Sequence, residues 1–237
     1  MEELQIASGS GFGARLLGVF TAPDRVFAAV DRRPGTWWQP LLLAAVAGLA
    51  VVQLIYDPVI VPAQREVLEQ KGLEGEQLEQ ALRMIGSGWA RGIGYGGAVL
   101  EPLAAALVAA LLGHFGAAFL LGGAASFGRS WSVVCHVLPI GVLGSALKVP
   151  IMLAQGRPDV HFGPALLFPV AEIGERRDFL FHLAAQADVF TLWKLAVGGV
   201  GLALVHRVRR GSMLGLVFAL WALWAVGASA VAKAVGG

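Results

Sequence analysis

The sequence predicts an all-α, polytopic integral membrane protein: a helical bundle of five transmembrane helices preceded by N-terminal interfacial helices. Three observations carry that expectation. Of 237 residues, 57% are hydrophobic and 14% charged, against about 45–50% and about 25% in a typical soluble domain. The shortage of charge matters most, because charge keeps a soluble surface wet; the mean hydropathy of +0.69 agrees. Five apolar runs are each close to the roughly 20 residues needed to cross about 30 Å of hydrocarbon. The densest charge falls between the runs, in two polar excursions at residues 63–83 and 155–187.

Residues 12–33 come first. Phe12, Leu16, Val19 and Phe20 recur at helical spacing, and Thr21 can cap a second helix that has Pro23 in its first turn. There Val26, Phe27 and Val30 share one face, with Asp24, Arg25 and Asp31 opposite. Both pieces are too short and polar to span; they either lie on the bilayer or pack on the protein. Pro34-Gly35 breaks the chain, and Trp37-Trp38 reads as a headgroup-level anchor. The first span is 40–56, ended by Asp57-Pro58. Residues 63–83 read as a solvated helical hairpin bent at Gly72 and Gly75. The second span lies within 93–122, interrupted by Glu101-Pro102, with glycines that permit close helix approach. Residues 132–154, 188–205 and 212–232 are the third, fourth and fifth spans. The expected division is a cytoplasmic interfacial segment at 1–38 and a five-span membrane domain at 39–237.

The acidic start of residues 1–13, with no apolar core, argues against a cleavable signal. Arg32-Arg33 precedes the first span, and Arg207, Arg209 and Arg210 fill the very short turn between the last two. Short loops and span ends carry the positive-inside signal, so the N-terminus is placed in the cytoplasm of a cell-membrane protein.

A net charge of +2 argues against nucleic-acid binding, and the pI near 9 is read as scattered arginine rather than a basic patch. Cys135 stands alone, which excludes an internal disulfide. No metalloprotease, nucleophile-elbow or phosphate-loop motif occurs. GIGYGG at 92–97 lacks both a preceding strand and the dinucleotide-loop order. His161 and His182 match no metal-ligand spacing. No catalytic residue, cofactor or metal is expected. The informative polar set is Glu101, Lys148 and Lys194, ionisable groups inside spans that ordinarily face a partner or a wet cavity. Similar depth permits a shared cluster; independent snorkelling of the lysines is the alternative.

LLGVFTAPDRVF at 16–27, with Pro23 and Phe27, then Pro139 after WSVVCHVL, and above all DVFTLWKLAVGGVGLALVHRVRRGS at 188–212, with Asp188, Phe190 and Trp193, give a pattern that resembles the Yip domain family of multi-pass membrane proteins in its short prokaryotic form. The resemblance covers roughly residues 12–235. It implies a five-helix bundle with a cytoplasmic N-terminus and a non-catalytic role. No long acidic N-terminal region is present, so GTPase binding is not carried over. The expected function is a membrane scaffold or adaptor that organises partners or lipids. The bilayer itself, a second copy of the chain, or other membrane proteins would be its partners. A small-solute or ion transporter using Glu101, Lys148 and Lys194, and a membrane-embedded lipid-modifying enzyme, are the alternatives.

Overall fold

A computed structural model describes residues 11–169, 173 and 177–235. The start of the chain and Glu172, Glu175 and Arg176 of the second polar excursion lie outside the described residues. Among the described residues every regular element is helical: α1 (Phe12–Thr21), α2 (Pro23–Arg32), α3 (Trp38–Ile55), α4 (Val61–Gln70), α5 (Gly75–Ile85), α6 (Gly88–Leu121), α7 (Phe127–Gln155), α8 (Phe179–Gln186), α9 (Val189–His206) and α10 (Arg210–Val235). Five helical stretches are long and apolar enough to cross a membrane: Pro34–Gln70, Gly88–Leu121, Phe127–Gln155, Val189–His206 and Arg210–Ala234. The all-α, five-span expectation holds.

Three local expectations are corrected. Thr21 does not cap α2; it ends α1, its hydroxyl donating to Leu17 O at 3.2 Å, and Ala22 takes the cap position, with Pro23 opening α2. Asp57-Pro58 does not end the first span. The chain passes through a π-turn at Tyr56–Ile60 and continues as α4. A wider turn accommodates a residue that has no N–H to give. Glu101-Pro102 does not interrupt the second span either, and α6 runs unbroken through Pro102. Pro102 offers no N–H to the Ala98 carbonyl one turn earlier. Gly48 of α3 stands against that same carbonyl, so close that a β-carbon there would lie 2.8 Å from the oxygen. A Cα–H approach of this kind lets the helix continue. The hairpin bend is as expected, with Gly72 at φ 80° and Gly75 at φ 57°.

The chain forms two compact units: Met1–Ala44, Glu101–Val142 and Phe190–Trp224 make the first, and Ala45–Leu100, Leu143–Val189 and Ala225–Gly237 the second. The core of the first joins α1 and α2 to the spans. Val19, Val26, Phe27 and Val30 pack with Val133, Val137 and Ile140 of α7, Leu202 and Val205 of α9, and Met213 of α10. Of the two placements open for α1 and α2, packing on the protein is therefore observed for their apolar faces. The core of the second unit is smaller: Ile55 and Val59 against Val149. In that unit the π-turn is also tied to its neighbours: Asp57 accepts from Arg91 of α6 at 2.5 Å, and Tyr56 donates to Ile85 O of α5 at 2.8 Å.

Candidate functional site

In the first unit the N-terminal helices are locked on the spans by an aromatic key and two ion pairs. Phe27 is fully buried, and its ring lies where α9 has Gly201: a β-carbon there would come within 2.8 Å of the ring and 2.6 Å of Val133. Phe20 meets Trp193 edge-on at 5.6 Å between ring centroids, and Phe190 stacks on Trp193 at 6.5 Å. At one end of α2, Asp24 accepts from Arg210 at 2.5 Å; at the other, Asp31 lies 3.3 Å from Arg129. Arg15 is buried and donates to Gln39 at 2.5 Å. Burial, and then the nearby Arg33, pushes its guanidinium below the ordinary value. Next to this junction the His136 Nδ1–H donates to Ser132 O at 2.7 Å, and its Nε2 faces the Thr36 hydroxyl at 3.5 Å.

The same unit holds a polar chain that spacing did not reveal. The Ser130 hydroxyl lies 3.1 Å from His114 Nδ1 and 2.8 Å from His206 Nε2, joining α6, α7 and α9. His206 is buried, and its Nδ1 has no hydrogen-bond partner among the described residues. That nitrogen faces Gly123, where a β-carbon would fall 2.5 Å from it.

The second unit contains an ion pair at the mouth of α9. Lys148 Nζ lies 2.8 Å from Asp188, which is buried and also accepts from the Phe162 N–H at 3.2 Å. Val189 N–H donates back to Phe162 O at 2.8 Å, so Asp188 and Val189 grip the strap before them at both its donor and its acceptor. The strap fits because Gly163 lies flat on the chain: a β-carbon there would meet Ala187 O at 2.5 Å. His161, in the strap, packs edge-on to Phe181 at 5.5 Å.

Burial, reinforced by Lys148 and Arg177 and opposed by Asp159 and Asp188, holds the His161 imidazole below its ordinary value. A depressed histidine favours the neutral ring in the folded state. Its contribution to stability is therefore complete above the unfolded value of about 6.5 and is lost as pH falls below it. The thermal midpoint in detergent is expected to drop from pH 7.5 to pH 5.5, and His161→Gln is expected to shrink that drop. An undiminished drop in the variant would assign the effect to another group.

The residues singled out from sequence fall as follows. Lys148 and Asp188, picked for different reasons, are brought together. Glu101 is exposed on α6, and no ion pair among the described residues uses it. Lys194 is half-buried on α9, its ammonium in the room left by Gly141, where a β-carbon would lie 3.6 Å away. Pro139 is buried in α7. Phe27, Phe190 and Trp193 converge on the docking of the N-terminal helices.

The aromatic docking motif and the α9–α10 segment lie within a stretch, residues 17–231, that matches the model of the Yip1 domain. The chain belongs to the Yip1 domain family. No match to a curated protein or to a solved structure was found. Pro23, Phe27, Pro139, Asp188, Phe190 and Trp193 all fall inside the Yip1 match. Family membership and five apolar helices make this a multi-pass membrane protein. Within the Yip1 domain the side chains that sequence reading passed over are His114, Ser130 and His206. His114 sits in an apolar run, Ser130 and His206 stand beside Arg129 and Arg207 at helix ends, and only the packing of three helices makes them neighbours.

Proposed function

We propose that this Yip1-domain chain is a non-catalytic scaffold or adaptor of the cell membrane, its N-terminal helices on the cytoplasmic side, that organises other membrane components. The observation that carries the reading is the way α1 and α2 are held. Their inner faces are fixed by Phe27 and by the Asp24 and Asp31 ion pairs. Their outer faces, with Ala14, Leu17 and Thr21 of α1 and Arg25 and Arg32 of α2, stay exposed. A pair of short helices pinned at three places loses little entropy when a partner binds, which is what a recognition platform requires. The polar side chains at Lys148–Asp188 and at His114–Ser130–His206 bond to one another between helices, a use that supports a fixed frame.

A photoreactive residue at Leu17, which is 69% exposed, tests this in native membranes. Irradiation is expected to yield discrete adducts with other membrane proteins or with a second copy of the chain, mapping to cytoplasmic segments of the captured protein. Adducts with lipid alone, or on segments of the opposite side, would count against the reading.

A further inference from the structure

α2 carries two rails of charge. Asp24 and Asp31 are seven residues apart, as are Arg25 and Arg32, and two helical turns return each pair to nearly one line. The acidic rail is engaged by Arg210 and Arg129. The basic rail is exposed, as is Arg33 just beyond it. Where α2 meets the start of α10, the α9–α10 turn adds Arg207 and Arg209, also exposed. Arginines that look scattered along the chain are thus gathered over one strip. The acids among the described residues of this unit are Asp24, Asp31 and Glu101. Two of them are tied, and Glu101 lies about 30 Å along α6 from that helix's end at Leu121. Among the described residues of this unit, no acid is left to neutralise the strip.

Arg207 supplies an independent observation. It has φ 58°, the one positive φ outside glycine among the described residues. It closes α9 in the manner of a Schellman turn, Val208 N–H donating to Ala203 O at 3.1 Å and Arg207 N–H to Leu204 O at 3.2 Å. Glycine is the unstrained choice there. An arginine held in the left-handed region points to a use for its charge outside the turn.

We propose that the strip formed by Arg25, Arg32, Arg33, Arg207 and Arg209 is a docking surface for anionic glycerophospholipid headgroups. The turn joins two apolar spans, and α2 leads directly to Trp37 and Trp38 at the head of another. The strip therefore sits at headgroup level, whichever leaflet it meets. Guanidinium forks suit phosphate oxygens, which they can engage two at a time. The proposal deepens the scaffold reading and rests on it for the pinned α2. The two fail separately, because protein adducts at Leu17 and lipid selectivity are read in different experiments.

The test uses the full chain in detergent with equal amounts of phosphatidylglycerol and phosphatidylcholine, with retained lipid read by native mass spectrometry. Wild type is expected to retain phosphatidylglycerol preferentially, and less so as salt rises. Each charge removed is expected to lower that preference about five-fold. Arg25→Gln combined with Arg32→Gln should do so with no change in the thermal midpoint. Arg207→Gly should lower the preference while raising the midpoint, because strain is relieved as charge is lost. Equal retention of the two lipids by wild type overturns the proposal. So does a preference that survives Arg25→Gln with Arg32→Gln, or one lost together with the fold.

Discussion

Replacing Asp188 by alanine is expected to lower the free energy of unfolding by about 3 kcal/mol. The substitution leaves the Lys148 ammonium without its partner at 2.8 Å and removes the acceptor that the Phe162 N–H uses at 3.2 Å. Asp188 is buried and Lys148 only partly exposed, so water replaces little of what is lost. The ion pair itself contributes less than this figure, because bringing two charges together out of water offsets much of their attraction. Asp188→Leu combined with Lys148→Met is accordingly expected to recover most of the loss. Denaturant or thermal unfolding in detergent decides between the two. A double variant as unstable as Asp188→Ala would mean that the strap, not the charge, accounts for the effect.

Phe27→Ala is expected to cost about 3–5 kcal/mol, the range for emptying a fully buried aromatic site. It should also loosen α1 and α2 from the spans, so tryptic cleavage at Arg25 and Arg32 is expected to accelerate. Gly201→Ala attacks the same contact from the opposite side. Its new methyl would overlap Val133 and the Phe27 ring, and overpacking of that kind costs about 1–3 kcal/mol. The two changes together should cost less than their sum, since the methyl then enters the space that Phe27 vacates. Strict additivity would show that Phe27 and Gly201 do not share one packing site.

Much of this architecture was legible because hydropathy acts locally. A run such as 212–232 is committed to the bilayer by its own composition, wherever its neighbours sit. The hairpin bend at Gly72 and Gly75 was legible for a similar reason, since a positive φ is a property of one residue. The errors came where the outcome depends on a partner. Pro58 and Pro102 both read as breaks. Whether proline breaks a span depends on what happens to the carbonyl it leaves without an N–H, and for Pro102 the answer is Gly48, on a helix more than fifty residues earlier. The motif aromatics Phe27 and Trp193 were found as letters, while their use in pinning the N-terminal helices needed the fold. Lys148 was singled out by its cost in a span. Its acid proved to be Asp188 at a helix mouth, within reach of a long flexible side chain, and depth counted along straight helices does not capture such reach.

The Ser130 hydroxyl between two imidazoles has a consequence for proton placement. The hydroxyl has one hydrogen, and once it is spent on one ring the other ring must donate to the oxygen. If His206 bears its hydrogen on Nε2, Ser130 passes its own to His114 Nδ1; if His206 bears it on Nδ1, every bond in the chain reverses. Buried N–H groups are seldom left bare, whereas a bare acceptor is better tolerated. The partnerless Nδ1 against Gly123 therefore favours the first arrangement. Two histidines on different helices thus share a single tautomeric choice, and a change at either ring is communicated to the other without any movement of the backbone.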